Sequence, residues 1–272
     1  MQTQQLDSTS SLVHRWQPYL EIFKLTLRRM LRSRRTIFTL LVSMFPIALS
    51  IVFRLVRHNP RDAHEFVPLI TMVFYMMFVI ILISLFYGTA IIADEVDGKT
   101  LTYLFTRPLH KARILLSKFA AYLVGTVTLV APSHLLTTLI IATDSNIKEG
   151  LLFHIGMSFK YIGVMSLGLL VYGAIFSAFG ARFKHAVLWG LLVAFGWEKI
   201  TLIVPGNIKK FSAIHYLLSV YPRHGLRNRP IQEFLGDSPP TFWVALIMTL
   251  LITTLFLYLS IFIFQRREYH TE

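Results

Sequence analysis

The sequence predicts an all-α integral membrane protein with six transmembrane helices. Of the 272 residues, 54% are hydrophobic and only 15% are charged, whereas about a quarter of the residues in a soluble domain are charged. The apolar residues are also grouped into long uncharged runs, which are typical of membrane-spanning helices. These runs lack the alternation of barrel strands, so we expect helices throughout the membrane.

Six apolar runs are each long enough to cross a hydrocarbon core of about 30 Å at about 1.5 Å per residue. The fifth run is interrupted by Glu198 and Lys199. The predicted spans are 36–53, 67–93, 119–143, 161–181, 186–205 and 241–264. We therefore predict one transmembrane domain, 36–272, preceded by a cytoplasmic segment, 1–35.

The distribution of lysine and arginine predicts the orientation of the spans. Cytoplasmic flanks of membrane spans carry an excess of basic residues. With the N-terminus inside, the inner segments hold sixteen lysines and arginines and the outer segments hold ten. Both termini are therefore predicted to be cytoplasmic. The net charge of +13 is assigned to contact with anionic membrane lipids, and no nucleic-acid partner is predicted because no binding motif is present.

The segment 1–35 contains a stretch that predicts a basic amphipathic helix. Apolar residues recur there at helical spacing, and basic residues repeat on another face. The apolar set is Leu20, Phe23, Leu27, Met30 and Leu31, and the basic set is Lys24, Arg28, Arg32 and Arg35. Such a helix suits the inner surface of a membrane. A simple positively charged anchor is an equally good interpretation.

The longest segment between predicted spans, 206–240, is assigned to the outer side. It is not uniformly polar, because it contains the apolar stretch FSAIHYLLSVYP at 211–222. Irregular backbone at membrane depth must be shielded by protein. We therefore predict a short re-entrant or interfacial helix within this outer loop.

Gly98, Lys99 and Thr100 look like the end of a phosphate-binding loop. That motif requires another glycine five residues before Gly98, in a turn that follows a strand. Ala93 occupies that position, at the end of a predicted membrane span, and acidic residues stand between it and Gly98. The acidic residues would repel phosphate. We therefore predict no nucleotide site in this chain.

The segment 94–118 is predicted to be a cytoplasmic loop between the second and third spans. It opens with acidic residues, contains an apolar stretch, turns at Pro108 and ends with basic residues. A helix from Thr100 to about Thr106 would end before this proline. It would expose Leu101, Leu104 and Phe105. These side chains either fold back onto the membrane or fill the groove of a partner protein.

The same segment resembles the loop of the ABC-2-type transporter permeases, the membrane subunits of ATP-binding-cassette exporters. Their loop reads E-x-x-x-G-T-L, then P-L, then R-x-L-L-x-K at the start of the third span. The matching residues are Glu95, Thr100, Leu101, Pro108, Leu109, Arg113, Leu115, Leu116 and Lys118. Lys99 replaces the glycine of the family pattern, and we expect Gly98 to supply flexibility one position earlier.

The resemblance implies that the chain is a transport subunit and not an enzyme. Segment 94–118 would then be a coupling loop that docks into a separate ATPase subunit, which would bind ATP and Mg²⁺. Glu95 and Thr100 would lie at or beside the contact, and the apolar side chains of Leu101, Leu104 and Phe105 would fill the groove. Arg113 and Lys118 would mark the membrane boundary.

The resemblance also implies further partners and a location. A second permease copy or a paralogue would complete the transport pathway. The complex would export a substrate across a bacterial or archaeal plasma membrane. This chain would carry no cofactor of its own.

Two polar residues inside the predicted spans are candidates for the transport pathway. Charges within a membrane are often functional, and Glu198 lies past the midplane of the fifth span. The simpler expectation is that this span ends early, so that Glu198 and Lys199 reach outward beside Trp197. His134 follows Pro132 and could line a kink, although such a histidine is more often packed and hydrogen-bonded.

No constellation of nucleophile and base is evident, and cysteine is absent, so we predict neither catalytic residues nor a metal site. Two other functions remain alternatives to a transport subunit. A membrane-embedded enzyme would show turnover as a purified chain. A membrane anchor or assembly subunit would bind partners without ATP-dependent transport.

Overall fold

The structure is a computed structural model that describes residues 2–56, 60–97, 110–143, 150–204, 207–222 and 240–266. All regular structure in these residues is helical. The elements are α1 (Gln2–Leu31), α2 (Arg34–Val56), α3 (Pro60–Ile70), a first π-helical segment (Thr71–Val79), α4 (Ile80–Asp97), α5 (Lys111–Ala142), α6 (Leu151–Arg182), α7 (Ala186–Leu191), a second π-helical segment (Leu192–Trp197), α8 (Glu198–Ile203), a 3₁₀ turn (Asn207–Phe211), α9 (Ala213–Val220) and α10 (Phe242–Arg266).

Within the described ranges, five helical stretches are long and apolar enough to cross a membrane. They are Arg34–Val56, Glu65–Asp94, Lys111–Ala142, Leu151–Arg182 and Phe242–Arg266. They correspond to the first four and the sixth of the predicted spans, and they confirm the all-α class. The fifth predicted span is built from α7, the second π-helical segment and α8, so the count of six spans stays a prediction.

The helices extend beyond the predicted spans. α5 begins at Lys111, before the predicted start at 119, and α6 begins at Leu151, before the predicted start at 161. Hydropathy marks only the uncharged part of a helix, whereas the backbone continues as a helix until a breaker or a turn. α3 begins at Pro60, and proline is well suited to the first position of a helix.

α4 and α6 form the most extensive helix pair of the bundle, and glycines let them approach closely. A Cβ atom added to Gly180 on α6 would lie 2.3 Å from the carbonyl oxygen of Thr89 on α4. One added to Gly173 would lie 2.3 Å from the ring of Tyr122 on α5. Only a residue without a side chain fits at these two positions, as in other closely packed membrane helices.

α1 packs along α5. Leu27 and Met30 lie against Gly125 of α5, where an added Cβ atom would be 2.8 Å from the sulfur of Met30. Met30 is buried, but Leu20 of the same predicted apolar face is 56% exposed. Part of the apolar face of α1 therefore packs against protein, and part remains available to a membrane surface.

α10 and α2 leave broad apolar faces uncovered. Only 17% of the residues in the most apolar stretch of α10 are buried, and 28% of those in the most apolar stretch of α2. Exposed residues of α10 include Trp243, Ile247, Leu251, Leu255 and Tyr258. Such faces suit contact with lipid or with another membrane subunit.

Candidate functional site

Most of the predicted coupling residues lie outside the described residues: Gly98, Thr100, Leu101, Leu104, Phe105 and Pro108. Glu95 lies in the last turn of α4, and its side chain is also outside the described part. The structure does describe the two ends of the segment, because α4 ends at Asp97 and α5 begins at Lys111. The start of α2 lies at the same end of the bundle. We call this region (Arg34, Arg35, Asp94 and 110–118) the junction end.

An ion pair joins α2 to α4 at the junction end. Arg35 in the first turn of α2 donates two hydrogen bonds to the carboxylate of Asp94, at 2.9 Å and 2.8 Å. Next to it, the hydroxyls of Thr36 and Tyr87 lie 2.8 Å apart. Two-pronged arginine–carboxylate pairs fix geometry as well as contributing energy. The end of α4 is therefore tied to the start of α2.

The start of α5 is held by α1. The guanidinium of Arg113 lies 5.1 Å from the ring centre of Trp16 and 5.8 Å from that of Tyr19. These distances are within the range of cation–π attraction. The backbone N–H of His110 donates to the hydroxyl of Tyr19 at 3.4 Å. α1 thus contacts the chain directly where segment 98–109 ends.

Lys118, predicted to mark the membrane boundary, is only 8% exposed. It lines an open cavity of about 710 Å³ between α1, the start of α2, α4 and α5. The charged residues that line this cavity are Glu21, Arg29, Arg34, Arg35, Asp94 and Lys118. Its remaining lining is mostly apolar or aromatic, including Ile22, Leu25, Ile91, Tyr87 and Tyr122.

His134, one of the two pathway candidates, is fully buried at the centre of a hydrogen-bonded cluster. Its Nε2 lies 2.9 Å from the hydroxyl of Thr71 in the first π-helical segment. Its Nδ1 lies 2.8 Å from the hydroxyl of Ser158 on α6. The side chain therefore links three membrane helices, and the packed histidine that the sequence favours is what the structure contains.

A second set of hydroxyls extends this cluster to α2. The hydroxyl of Tyr75 lies 2.8 Å from that of Ser133 and 3.0 Å from that of Thr137. Ser133 donates to the carbonyl oxygen of Ser43 on α2 at 2.6 Å. Polar side chains that bond across helices hold membrane bundles together. These contacts are structural links within one chain.

Glu198, the other pathway candidate, is 3% exposed. Its carboxylate accepts hydrogen bonds from the hydroxyl of Ser212 and from the backbone N–H groups of Ala213, at 3.2 Å, and Ile214, at 3.4 Å. A carboxylate at the N-terminus of a helix is stabilised by the free N–H groups and by the helix dipole. Glu198 is therefore buried against the start of α9, and the expectation that it reaches toward the outer side stays a prediction.

Lys199 turns in another direction from Glu198. Its Nζ donates to the carbonyl oxygen of Met77, within the first π-helical segment, at 3.2 Å. Trp197, the expected interface anchor, is 44% exposed and donates from its indole N–H to the carbonyl oxygen of Phe211 at 3.3 Å. Segment 206–240 contains a short helix, α9, all of whose residues are buried, and its re-entrant or interfacial position stays a prediction.

Comparison with protein families matches residues 20–197 to the model described as ABC-2 family transporter protein. This match covers more than half of the chain. The chain belongs to the ABC-2 transporter family. As an ABC-2 permease it is a multi-pass membrane subunit of a transporter, and the family implies an ABC ATPase as its partner. Comparison with curated proteins gives no match.

Several residues of this ABC-2 permease that organise the junction end are not evident from the sequence. Arg35 and Asp94 are 59 positions apart, and the sequence assigns the first to a basic helix face and the second to an acidic loop. Trp16 and Tyr19 carry no motif. The one available signal is the position of Arg35 and Asp94, each directly beside an apolar run.

Proposed function

We propose that the chain is the permease subunit of an ABC exporter. It moves a substrate across a bacterial or archaeal plasma membrane, driven by ATP that a separate ATPase subunit binds with Mg²⁺ and hydrolyses. The family match carries this proposal, because residues 20–197 include the C-terminal part of α1, the junction end and the whole of segment 98–109. The chain itself is not the enzyme of the complex.

The topology that we propose has six spans and both termini in the cytoplasm. α7, the second π-helical segment and α8 form the fifth span, between α6 and α9. Support comes from the basic residues, sixteen on the inner segments against ten on the outer segments. In this topology the junction end faces the cytoplasm, where an ATPase is located.

The coupling loop, 94–118, is proposed to dock into the ATPase through the apolar residues of segment 98–109, with Glu95 beside the contact. The described geometry supports a mechanical role for its flanks. The Arg35–Asp94 pair holds α4 to α2, and Arg113 holds α5 to α1. A displacement of segment 98–109 would therefore move α1, α2, α4 and α5 together, as in rigid-body transitions.

We also propose a second permease copy or a paralogue in the complex. The exposed apolar faces of α2 and α10 support this, since both are available to another membrane subunit. The transport pathway would then lie between the two permeases and would open alternately to either side. The pathway roles of Glu198 and His134 stay predictions, and the contacts of both residues are accounted for by packing within one chain.

A pull-down from native membranes in a mild detergent, followed by mass spectrometry of the retained proteins, tests the proposal. We expect a stoichiometric soluble ATPase that carries its own Walker A motif. The matched control is the same chain with Leu104→Asp, which should lose the ATPase but remain in the membrane. Recovery of the folded chain without any nucleotide-binding partner would favour the anchor or the membrane enzyme instead.

A further inference from the structure

The cavity at the junction end is large enough for a ligand. Its volume of about 710 Å³ is within the range of about 300–1,000 Å³ that is usual for small-molecule sites. Its described lining comes from α1, Ser33, the start of α2, α4 and α5. The proposed coupling contact does not require such a cavity.

Four of the described charged lining residues lie at the boundaries of three apolar runs. Arg34 and Arg35 directly precede the run that starts at 36, and Asp94 directly follows the run that ends at 93. Lys118 directly precedes the run that starts at 119. In a membrane, such boundaries lie at the depth of the lipid headgroups. The charged part of the cavity is therefore at headgroup depth.

The lining residues of α4 and α5 beyond these charges lie on the hydrocarbon side of this boundary. Tyr87, Ala90 and Ile91 precede Asp94 along α4, and Tyr122 follows Lys118 along α5. Facing them, α1 contributes apolar side chains, Ile22 and Leu25. One cavity thus combines a polar region at headgroup depth with an apolar region at acyl-chain depth. An amphiphile likewise has a polar headgroup and an apolar chain.

The charges of the lining favour an anionic ligand. Among the described lining residues, four are basic and two are acidic, so these residues carry a net positive charge. The basic side chains include that of the buried Lys118. An anion is attracted to such a site more strongly than in open water.

We propose that this cavity binds one anionic phospholipid. The phosphate lies near Arg29, Arg34 and Lys118, and an acyl chain lies against Leu25, Ile91 and the other apolar lining. The lipid contacts α1, α4 and α5 at once. It therefore fastens α1 to the helices that flank segment 98–109.

Native mass spectrometry of the purified, delipidated full-length chain tests this proposal. The probes are dioleoylphosphatidylglycerol and dioleoylphosphatidylcholine, added separately at equal concentration. We expect one retained phosphatidylglycerol per chain and a several-fold lower retention of phosphatidylcholine. Equal retention of the two lipids would overturn the proposal.

Three variants locate the bound lipid. Ala90→Phe fills the cavity without a change of charge, and Arg29→Gln removes a lining charge. Arg28→Gln removes a charge from the neighbouring, exposed position, which does not line the cavity. We expect several-fold weaker retention of phosphatidylglycerol by the first two variants and unchanged retention by the third. Circular dichroism checks that each variant keeps its helical fold. If Ala90→Phe does not fold, the comparison of Arg29→Gln with Arg28→Gln still tests the site.

Two outcomes would contradict the lipid assignment. Equal losses in Arg29→Gln and Arg28→Gln would show general attraction of lipid to the basic surface of α1. Displacement of the lipid by inorganic phosphate, together with unchanged retention in Ala90→Phe, would show a site for free phosphate rather than for a phospholipid.

Discussion

Arg35 and Asp94 form a two-pronged ion pair that ties the first turn of α2 to the end of α4, with N–O distances of 2.9 Å and 2.8 Å. Both side chains are partly exposed, at 42% and 32%. Pairs with this exposure contribute only about 0.2–1 kcal/mol to stability. The importance of the pair lies in its position next to segment 98–109 and less in its energy.

Reversal of either charge should therefore impair coupling more than folding. We expect Arg35→Asp and Asp94→Arg each to lower the ATPase activity of the reconstituted complex, and the double swap to restore it. Arg28→Asp on the exposed face of α1 is the control for a change of net charge. Equal losses in the control and in the two single variants, without rescue by the swap, would refute a coupling role for the pair.

Glu198 should stabilise the chain through the start of α9. Glu198→Ala removes the acceptor of two backbone N–H groups, and buried groups left without a partner cost about 1–3 kcal/mol. We expect a lower denaturation midpoint in detergent, and a smaller effect for Glu198→Gln, which keeps one acceptor oxygen. Glu21→Ala, at an exposed position, is the control. Full stability of Glu198→Ala together with lost transport would instead place Glu198 in the pathway.

His134 should act as a structural link between the π-helical segment, α5 and α6. His134→Ala removes a buried ring and leaves the hydroxyls of Thr71 and Ser158 without this partner. We expect a loss of about 2–5 kcal/mol of stability, measured by denaturant titration in detergent. Thr128→Ala on the same helix is the control, since its exposed hydroxyl donates to the carbonyl of Val124 within the same helix. An unchanged stability with abolished transport would point to the pathway.

Gly180 should tolerate no side chain. In Gly180→Ala the new methyl group would lie 2.3 Å from the backbone oxygen of Thr89, so α4 and α6 must move apart, and overpacking of this kind costs about 1–3 kcal/mol. Gly163→Ala on the same helix is the matched control, because no atom of the described residues lies within 4 Å of its added Cβ atom. Thermal melting of the two variants should differ accordingly. Equal melting temperatures would contradict the close contact.

The helical class and most span positions follow from the sequence because they depend on a local property, the absence of charge over long runs. The two π-helical segments do not follow from it, because hydropathy does not distinguish a π turn from an α turn. One of these segments accepts the hydrogen bond of Lys199 through the carbonyl of Met77.

The candidate site is less predictable, because it depends on contacts between distant parts of the chain. The direction of the Glu198 side chain could not be predicted, because it depends on the return of the chain at Ser212 and Ala213. The spacing of Glu95, Pro108, Arg113 and Lys118 is sufficient to indicate the transporter family. It gave no information about the contacts of Arg113 with Trp16 and Tyr19.

Site-specific cross-linking tests the central claim most directly, and the chain contains no cysteine that would interfere. Leu104→Cys places a single thiol in segment 98–109. Leu152→Cys places one at the opposite end of the bundle, where Leu152 is 83% exposed. Both would be treated in native membranes with a thiol-reactive photo-cross-linker. We predict that Leu104→Cys becomes joined to an ABC ATPase and that Leu152→Cys does not. An ATPase adduct from Leu152→Cys alone, or none from either thiol while the ATPase co-purifies, would contradict the coupling role of segment 98–109.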